Sequence, residues 1–394
     1  MPQRASRETI PIGRPRLERE GGVLRVSADV DGEPVWFESR DFELEPVAEA
    51  WATAFTIPAL ERRARLTLDA PVDGVWLDNI VAVQDLLREW WDYPLRLPLA
   101  EGRDAPPAAE GGETALFFSG GADSFYTLLC GGHPVDRLVL IQGFDFGLDA
   151  EARHAAVERS LREIAEARGI AATVVRTNAR AHPLVREMPW ERAHGGVLAG
   201  VGHALGGAVR RVLISSSISL RSGRPWGSHF RLDPMWGSAR RSFQSVGQER
   251  RKGEKLRAIA PDPLVHDHLR VCWQNAAHDG NCSKCNKCVY ARLVLADCGV
   301  LERCRTFHGA ATLVADIDAL PRAKQRPGGY QELLDGWRHG EPPTAPPHGS
   351  HLTPEMRRAI RDLLERTARL ESRPVRWRRV VLGRMLSWVR PDRA

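Results

Sequence analysis

The stretch Phe117-Phe118-Ser119-Gly120-Gly121-Ala122-Asp123-Ser124 restricts the folds open to this chain of 394 residues more than any other. An apolar run, Ala115 to Phe118, leads into two adjacent glycines and then into a helix-like pattern. A strand that enters a glycine turn and leaves as a helix forms a cradle for an anion: glycine lets the backbone come close, and the N–H groups of the first helical turn favour negative charge. No Lys comes after the glycines as a Walker A loop would require. A plain tight turn is the competing reading of the same residues.

The residues beyond the turn strengthen the nucleotide reading. Strand and helix patterns alternate: Leu138–Gln142, a helix from Asp149 to Arg168, Ala172–Thr177, a helix from Gly195 to Leu205, and Arg211–Ser215. Short apolar strands alternating with helices predict an α/β, Rossmann-like parallel sheet with helices on both faces. In such sheets ligands bind beyond the carboxyl ends of the strands, where the strand order reverses. The Ser119 turn, Gly143-Phe144-Asp145-Phe146-Gly147, Thr177-Asn178 and Ser215-Ser216-Ser217 all fall at expected strand ends.

The turn resembles the S-G-G-x-D-S loop of the PP-loop ATP pyrophosphatases, with matches at Ser119, Gly120, Gly121, Asp123 and Ser124. The resemblance implies attack on the α-phosphate of ATP, adenylation of a substrate and release of pyrophosphate. Phe118, Ser119, Gly120, Gly121, Asp123, Ser124 and Gly143 are then the expected nucleotide contacts, with Mg²⁺ as counter-ion. Asp123, Ser124, Asp145 and His229 are the candidate catalytic residues. For His229 the alternative is an ordinary hydrogen-bonded loop histidine. Arg221, Arg224, Arg231, Lys252, Lys255 and Arg270 are all candidates for the cation on the α-phosphate.

Four of the seven cysteines, Cys272, Cys282, Cys285 and Cys288, give C-x9-C-x2-C-x2-C with polar residues between them. Two-residue gaps let successive thiolates turn onto one cation, and structural Zn²⁺ is the expected occupant. An iron–sulfur cluster, a redox pair and plain buried thiols are alternatives. Together with Phe144-Asp145-Phe146-Gly147, this spacing resembles the 7-cyano-7-deazaguanine synthase (QueC) family across about residues 115–298. Leu148, Asp149 and Ala150 depart from that family's Gln and Arg-His, and its substrate loop has no counterpart, so the resemblance extends to the nucleotide and zinc positions and not to the deazaguanine.

The expected activity is that of an ATP-dependent ligase. It activates a carboxylate or amide oxygen of a small-molecule or peptide acceptor as an adenylate, and ammonia or an amine then displaces AMP. Met1-Pro2-Gln3 leaves no amino-terminal Cys for a built-in glutaminase, so ammonia is expected free or from a carrier or supplying partner. The rivals are a PP-loop sulfurtransferase acting on RNA and a nucleotide-binding regulator without catalysis.

Around this centre, residues 1–20 are expected as a flexible start, 20–97 as a small α+β domain, 98–113 as a linker, 114–320 as the nucleotide domain, 321–352 as a Pro/Gly-rich linker and 353–394 as a basic helical tail. The first domain is anticipated from a hairpin around Asp31-Gly32, strands at Ala64–Leu68 and Gly74–Leu77, and helices at Val47–Phe55 and Ile80–Trp91. Residues 221–256 show no period and read as a lid or a surface excursion. The net charge of +6 is concentrated in the tail, where 12 Arg face five acidic residues; the near-neutral remainder argues against nucleic acid as a partner. Helices are expected from Thr353 to Leu370 and from Pro374, the second basic and amphipathic, with docking on its own domain favoured over a membrane. A cytoplasmic homo-oligomer is expected, since neither a signal peptide nor a long apolar run is apparent.

Overall fold

A computed structural model of the chain describes residues 8–106, 111–272, 280–323, 327–335 and 350–371. The strands are β1 (Thr9–Ile12), β2 (Arg16–Glu20), β3 (Val23–Val30), β4 (Glu33–Ser39), β5 (Arg65–Leu68), β6 (Val72–Asp73), β7 (Leu99–Ala100), β8 (Arg103–Asp104), β9 (Glu113–Phe117), β10 (Arg137–Gln142), β11 (Ala171–Thr177), β12 (Val209–Ser215) and β13 (Ser242–Val246). The helices are α1 (Ala48–Glu61), α2 (Gly74–Trp91), α3 (Ala122–Cys130), α4 (Glu151–Arg168), α5 (Pro183–Arg186), α6 (Trp190–Ala204), α7 (Lys252–Ile259), α8 (Pro263–His268), α9 (Asn286–Asp297), α10 (Leu313–Asp318), α11 (Pro327–Asp335) and α12 (Pro354–Glu371). Eleven strands form one mixed, mostly parallel sheet in the order β13-β12-β9-β10-β11-β4-β3-β1-β5-β7, with β2 paired to β3.

β9 to β13 are parallel, and their side chains alternate between two cores. Ala115, Phe117, Val139, Val212 and Ile214 enter one, packed with α1 and α6. Leu116, Leu138, Leu140 and Leu213 enter the other, packed with α3, α4, α7 and α9. A strand presents successive residues to opposite faces, so a sheet covered on both sides needs the unbroken apolar runs that this sequence carries. The chain steps outward from β9 to β10 and β11, then α6 returns it across the other face to β12 on the far side of β9. Strand order therefore reverses at β9, the strand that ends in the diglycine turn.

The amino-terminal segment extends this sheet. The β3–β4 hairpin forms as expected, with Asp31 and Gly32 at φ of 51° and 84° and Leu24, Val26, Ala28, Val30, Val35 and Phe37 buried. β4 pairs antiparallel with β11, and the join is reinforced by Thr177 Oγ1 donating to the Trp36 carbonyl (2.7 Å) and Ser39 Oγ to the Val174 carbonyl (2.8 Å). α1 lies against α6 at a spacing that needs Gly200, where a Cβ would come within 2.5 Å of the Ala50 carbonyl. The residues anticipated as a separate small domain thus share both sheet and core with the parallel half. Within the expected linker, Leu99–Ala100 and Arg103–Asp104 form short strands, β7 on β5 and β8 on β6.

Three local expectations are corrected. Thr9–Ile12 and Arg16–Glu20, expected in a flexible start, are β1 and β2 of the large sheet, with Ile10 and Ile12 buried. Gly74–Leu77 is the first turn of α2 and not a strand, because the Asp73 carboxylate accepts from Val75 N (2.8 Å) and Trp76 N (3.2 Å) and starts the helix there. Residues 221–256 are not one irregular loop: they contain β13, which continues the sheet, and the start of α7. Leu232, Asp233 and Trp236 within this stretch are fully buried, while Arg221 to Pro225 are exposed.

At the carboxyl end, Thr353 caps α12 as expected, its Oγ1 accepting from Met356 N (3.3 Å). Met356, Ala359, Ile360 and Leu363 dock this helix into the second core. The anticipated helix from Pro374 lies outside the described residues. Among the described residues no helix is long and apolar enough to cross a membrane.

Candidate active site and metal centre

The turn between β9 and α3 is fixed from three directions. Phe118 packs edge-on against Phe125 (5.1 Å between centroids), which ties the strand end to the helix over the turn. Gly120 sits at φ 73°, a left-handed conformation that side chains with a Cβ resist. Ser124 is buried and its Oγ donates to the Gly121 carbonyl at 3.0 Å, closing the first turn of α3. From outside, Arg270 N donates to the Gly120 carbonyl (2.8 Å) and Arg270 Nη2 to the Ser119 carbonyl (2.9 Å).

Beside the turn is a cavity of about 180 Å³, lined by Ser119, Gly121, Ala122 and Asp123 of the turn, Asp145 after β10, Lys252 of α7, Arg270 to Cys272, and Lys287 of α9. Its walls carry three cationic side chains against two carboxylates. The carboxylates are already held: Asp123 pairs with Lys252 and with Lys255 (3.1 Å), and Asp145 accepts from Arg270 Nη2 (3.2 Å). Lys255 lies under the cavity, almost wholly buried, and also donates to the Ser216 carbonyl (2.5 Å). Burial pushes its ammonium down to about 8. Arg270 Nε is buried with no hydrogen-bond partner among the described residues. An excess of positive charge beside a helix amino terminus favours an anion in this cavity.

The four cysteines meet as the spacing predicts, their sulfurs all within 4.8 Å of one another. Cys285–Cys288, Cys282–Cys288 and Cys272–Cys285 lie 3.5, 3.7 and 4.0 Å apart. A tetrahedron with Zn–S of about 2.3 Å has S···S edges of about 3.8 Å, so these side chains fit a single ion such as Zn²⁺. A multi-iron cluster would hold its thiolates farther apart. The Cys288 S–H lowers the Cys285 thiol while the same contact pushes the Cys288 thiol up, so one proton is shared within this pair. Four thiolates would leave an ion held there no open position, so its work would be structural.

The surroundings of the cluster are equally ordered. Asn281 Oδ1 accepts from Val271 N (2.8 Å) and Cys272 N (3.0 Å), while its Nδ2 donates to the Leu269 carbonyl (2.8 Å). Arg292, fully buried, donates to the Ser283 carbonyl (2.8 Å), to Asp316 (2.6 Å) and to the carbonyls of His308 (2.9 Å) and Gly309 (2.6 Å). Ser283, between the first two clustered ligands, takes φ 62° to make the turn.

Ser119, Gly121, Asp123 and Asp145 therefore surround one cavity, and Cys272 joins it to the metal cluster. Phe118 and Ser124 serve packing and turn closure. Gly143 falls outside the cavity lining; a Cβ there would come within 2.2 Å of the Thr177 carbonyl, so the glycine answers a close backbone approach. His229 is also outside the lining, buried against Trp90 (4.8 Å), with Nδ1 accepting from Arg231 N (3.0 Å). Of the six candidate cations, Lys252, Lys255 and Arg270 reach the turn, whereas Arg231 pairs with Glu89 and Arg224 stacks on Trp226. Sequence reasoning misses two contributors, Arg153, stacked on Phe146 (4.4 Å), and Asn281; Lys287 also lines the cavity. Asn281 directly precedes Cys282, and a carboxamide flanking a metal turn is the available signal. Comparison with protein-family models, curated proteins and solved structures found no match.

Proposed function

We propose that the chain is a PP-loop ATP pyrophosphatase that adenylates an acceptor and forms a C–N bond. The observation that carries this reading is the diglycine turn at the strand of reversed order, its helix amino terminus bordering a cavity lined by Lys252, Arg270 and Lys287. The absence of a lysine within the turn is compensated by lysines from α7, whose first turn lies beside α3.

In the proposed reaction an acceptor carboxylate or amide oxygen attacks the α-phosphorus of ATP, the bond from that phosphorus to the bridging oxygen breaks, and pyrophosphate leaves. Ammonia or an amine then adds to the activated carbon, loses a proton to solvent, and expels AMP. Such chemistry depends on positioning and charge stabilisation more than on a covalent nucleophile. The Ser119–Gly121 turn and the first N–H groups of α3 hold the leaving pyrophosphate. Arg270, Lys252 and Lys287 offset the charge that develops on the phosphates and the leaving group. Asp123 keeps Lys252 and Lys255 aimed at the turn. Because Asp123 and Asp145 are both paired with cations, Mg²⁺ is expected to enter on the nucleotide and to be held mainly by its phosphates. Cys272, Cys282, Cys285 and Cys288 would hold Zn²⁺, which would keep the Arg270 segment folded.

Sulfur transfer receives less support. It needs an activated thiol outside the cluster, yet burial raises the thiols of Cys298 and Cys304 to about 11 and about 12, and partial desolvation with Asp262 nearby raises that of the exposed Cys130. The test is nucleotide product analysis during incubation with ATP, Mg²⁺, ammonium and a panel of carboxylic acids and amides. AMP and pyrophosphate formed only with a responsive acceptor support the proposal; ADP and orthophosphate contradict it.

A further inference from the structure

The metal cluster and the nucleotide turn share a segment of backbone four residues long. Leu269 to Cys272 runs from the helix α8 side of the cavity to the first sulfur. At one end Cys272 is a ligand in the cluster. In the middle, Arg270 holds the turn through its own N–H to Gly120 and its guanidinium to Ser119 and Asp145. One side chain from the other half of the cluster sets the conformation of this segment. Asn281 binds Leu269 O, Val271 N and Cys272 N, three of the segment's backbone groups, and its Nδ2 also reaches Thr306 Oγ1 (3.2 Å). Asn281 is buried, so these bonds are made away from water, where an unmade one is costly. Arg153 adds a weaker tie, Nη2 to the Cys272 carbonyl at 3.4 Å, while its guanidinium and that of Arg270 both pack on the Phe146 ring.

From this geometry we infer that Asn281 is a positioning residue that transmits the folded state of the metal centre to Arg270, so that metal and nucleotide stabilise each other's binding. The inference rests on the proposed nucleotide site. Drawing four sulfurs together fixes Cys282 relative to Cys272, and Asn281, next to Cys282, can then meet all three backbone groups at once. Without the ion that constraint is lost, the three bonds loosen together, and Arg270 no longer holds Gly120 and Ser119. Coupling of this kind is reciprocal by necessity: whatever factor the metal adds to nucleotide affinity, nucleotide adds to metal affinity.

The experiment uses the full-length protein loaded with Zn²⁺, and α,β-methylene-ATP as a probe that cannot be cleaved between the α- and β-phosphorus. The Kd of Zn²⁺ is measured by competition with a chromogenic chelator, with and without the probe, and the probe's Kd is measured by calorimetry on Zn²⁺-loaded and Zn²⁺-stripped protein. The expected result is Zn²⁺ bound about tenfold more tightly with the probe present, matched by an equal loss of probe affinity on stripping. Asn281→Ala should retain one Zn²⁺ per chain through its four thiolates, bind the probe about tenfold more weakly, and show the same Zn²⁺ affinity with and without the probe. If Asn281→Ala fails to fold, the wild-type affinities decide the coupling alone. Equal probe affinity with and without Zn²⁺, together with unchanged Zn²⁺ affinity, overturns the coupling while leaving the nucleotide site standing. No probe binding to the loaded wild type overturns the nucleotide reading, and the coupling with it.

Discussion

Two polar clusters in this molecule look alike in composition and differ in what surrounds them. Asp123, Asp145, Lys252, Lys255 and Arg270 gather around a cavity and are paired with one another across chain elements. Ser228, His229 and Asp233 form the second cluster: Asp233 Oδ2 accepts from Ser228 Oγ (3.0 Å) and Oδ1 from His229 N (3.0 Å), and the His229 ring packs on Trp90 and Phe230. Burial pushes Asp233 up to about 7 and pushes His229 down. A serine, a histidine and an aspartate within six residues suggest catalysis by residue type, yet the imidazole meets aromatic rings while the carboxylate meets a hydroxyl and a backbone N–H. The comparison teaches that a perturbed group marks a site when it borders space for a ligand, and marks a packed core when it does not.

Lys255→Met should give the largest effect that separates the clusters. It removes the buried charge opposite Asp123, and nucleotide affinity measured by calorimetry at pH 7 is expected to fall at least about tenfold. In the wild type the pH dependence carries a sign. Lys255 titrates at about 8 in the folded protein, and a bound polyanion raises that value, so binding takes up a proton above pH 8 and affinity falls as pH rises through this range. Folding has the opposite slope: the unfolded lysine titrates at about 10.4, so the folded state holds fewer protons between about pH 8 and 10 and this residue's destabilising burial is relieved there. Loss of the affinity inflection in Lys255→Met would assign it.

The smaller effect belongs to the second cluster. His229→Phe keeps a ring against Trp90 and removes the imidazole, so it should shift stability by about 1–2 kcal/mol and leave nucleotide affinity unchanged. Thermal unfolding and calorimetry on the same sample check both halves. A large loss of affinity in this variant would erase the distinction between the clusters.

The parallel half of the fold is legible in the sequence because strands buried on both faces need unbroken apolar runs, and Ala115–Phe118, Leu138–Gln142 and Arg211–Ser215 supply them. The meeting of the four cysteines is legible from spacing alone. β13 escapes notice because Ser242-Phe243-Gln244-Ser245-Val246 contains only two apolar residues, and α7 because Arg250-Arg251-Lys252-Gly253-Glu254-Lys255 reads as a charged loop. Glu254, whose side chain accepts from Arg251 N (2.6 Å), is the helix-start signal there. The union of β4 with β11 is not legible, because a pairing between Phe37 and Thr177 leaves no trace in either local pattern. Lys252 and Lys255 stand in the sequence among several cations, and only the fold of α7 against α3 selects them.

The central claim, that the diglycine turn grips a nucleotide polyphosphate, is tested most directly by titrating α,β-methylene-ATP into wild type and Gly120→Val in a calorimeter. Valine at φ 73° costs on the order of 1–2 kcal/mol in backbone strain, which the turn relieves only by changing its shape. The account predicts saturable binding at one site per chain in the wild type and none in the folded variant. Equal binding by both proteins, or no binding by the wild type, would contradict it.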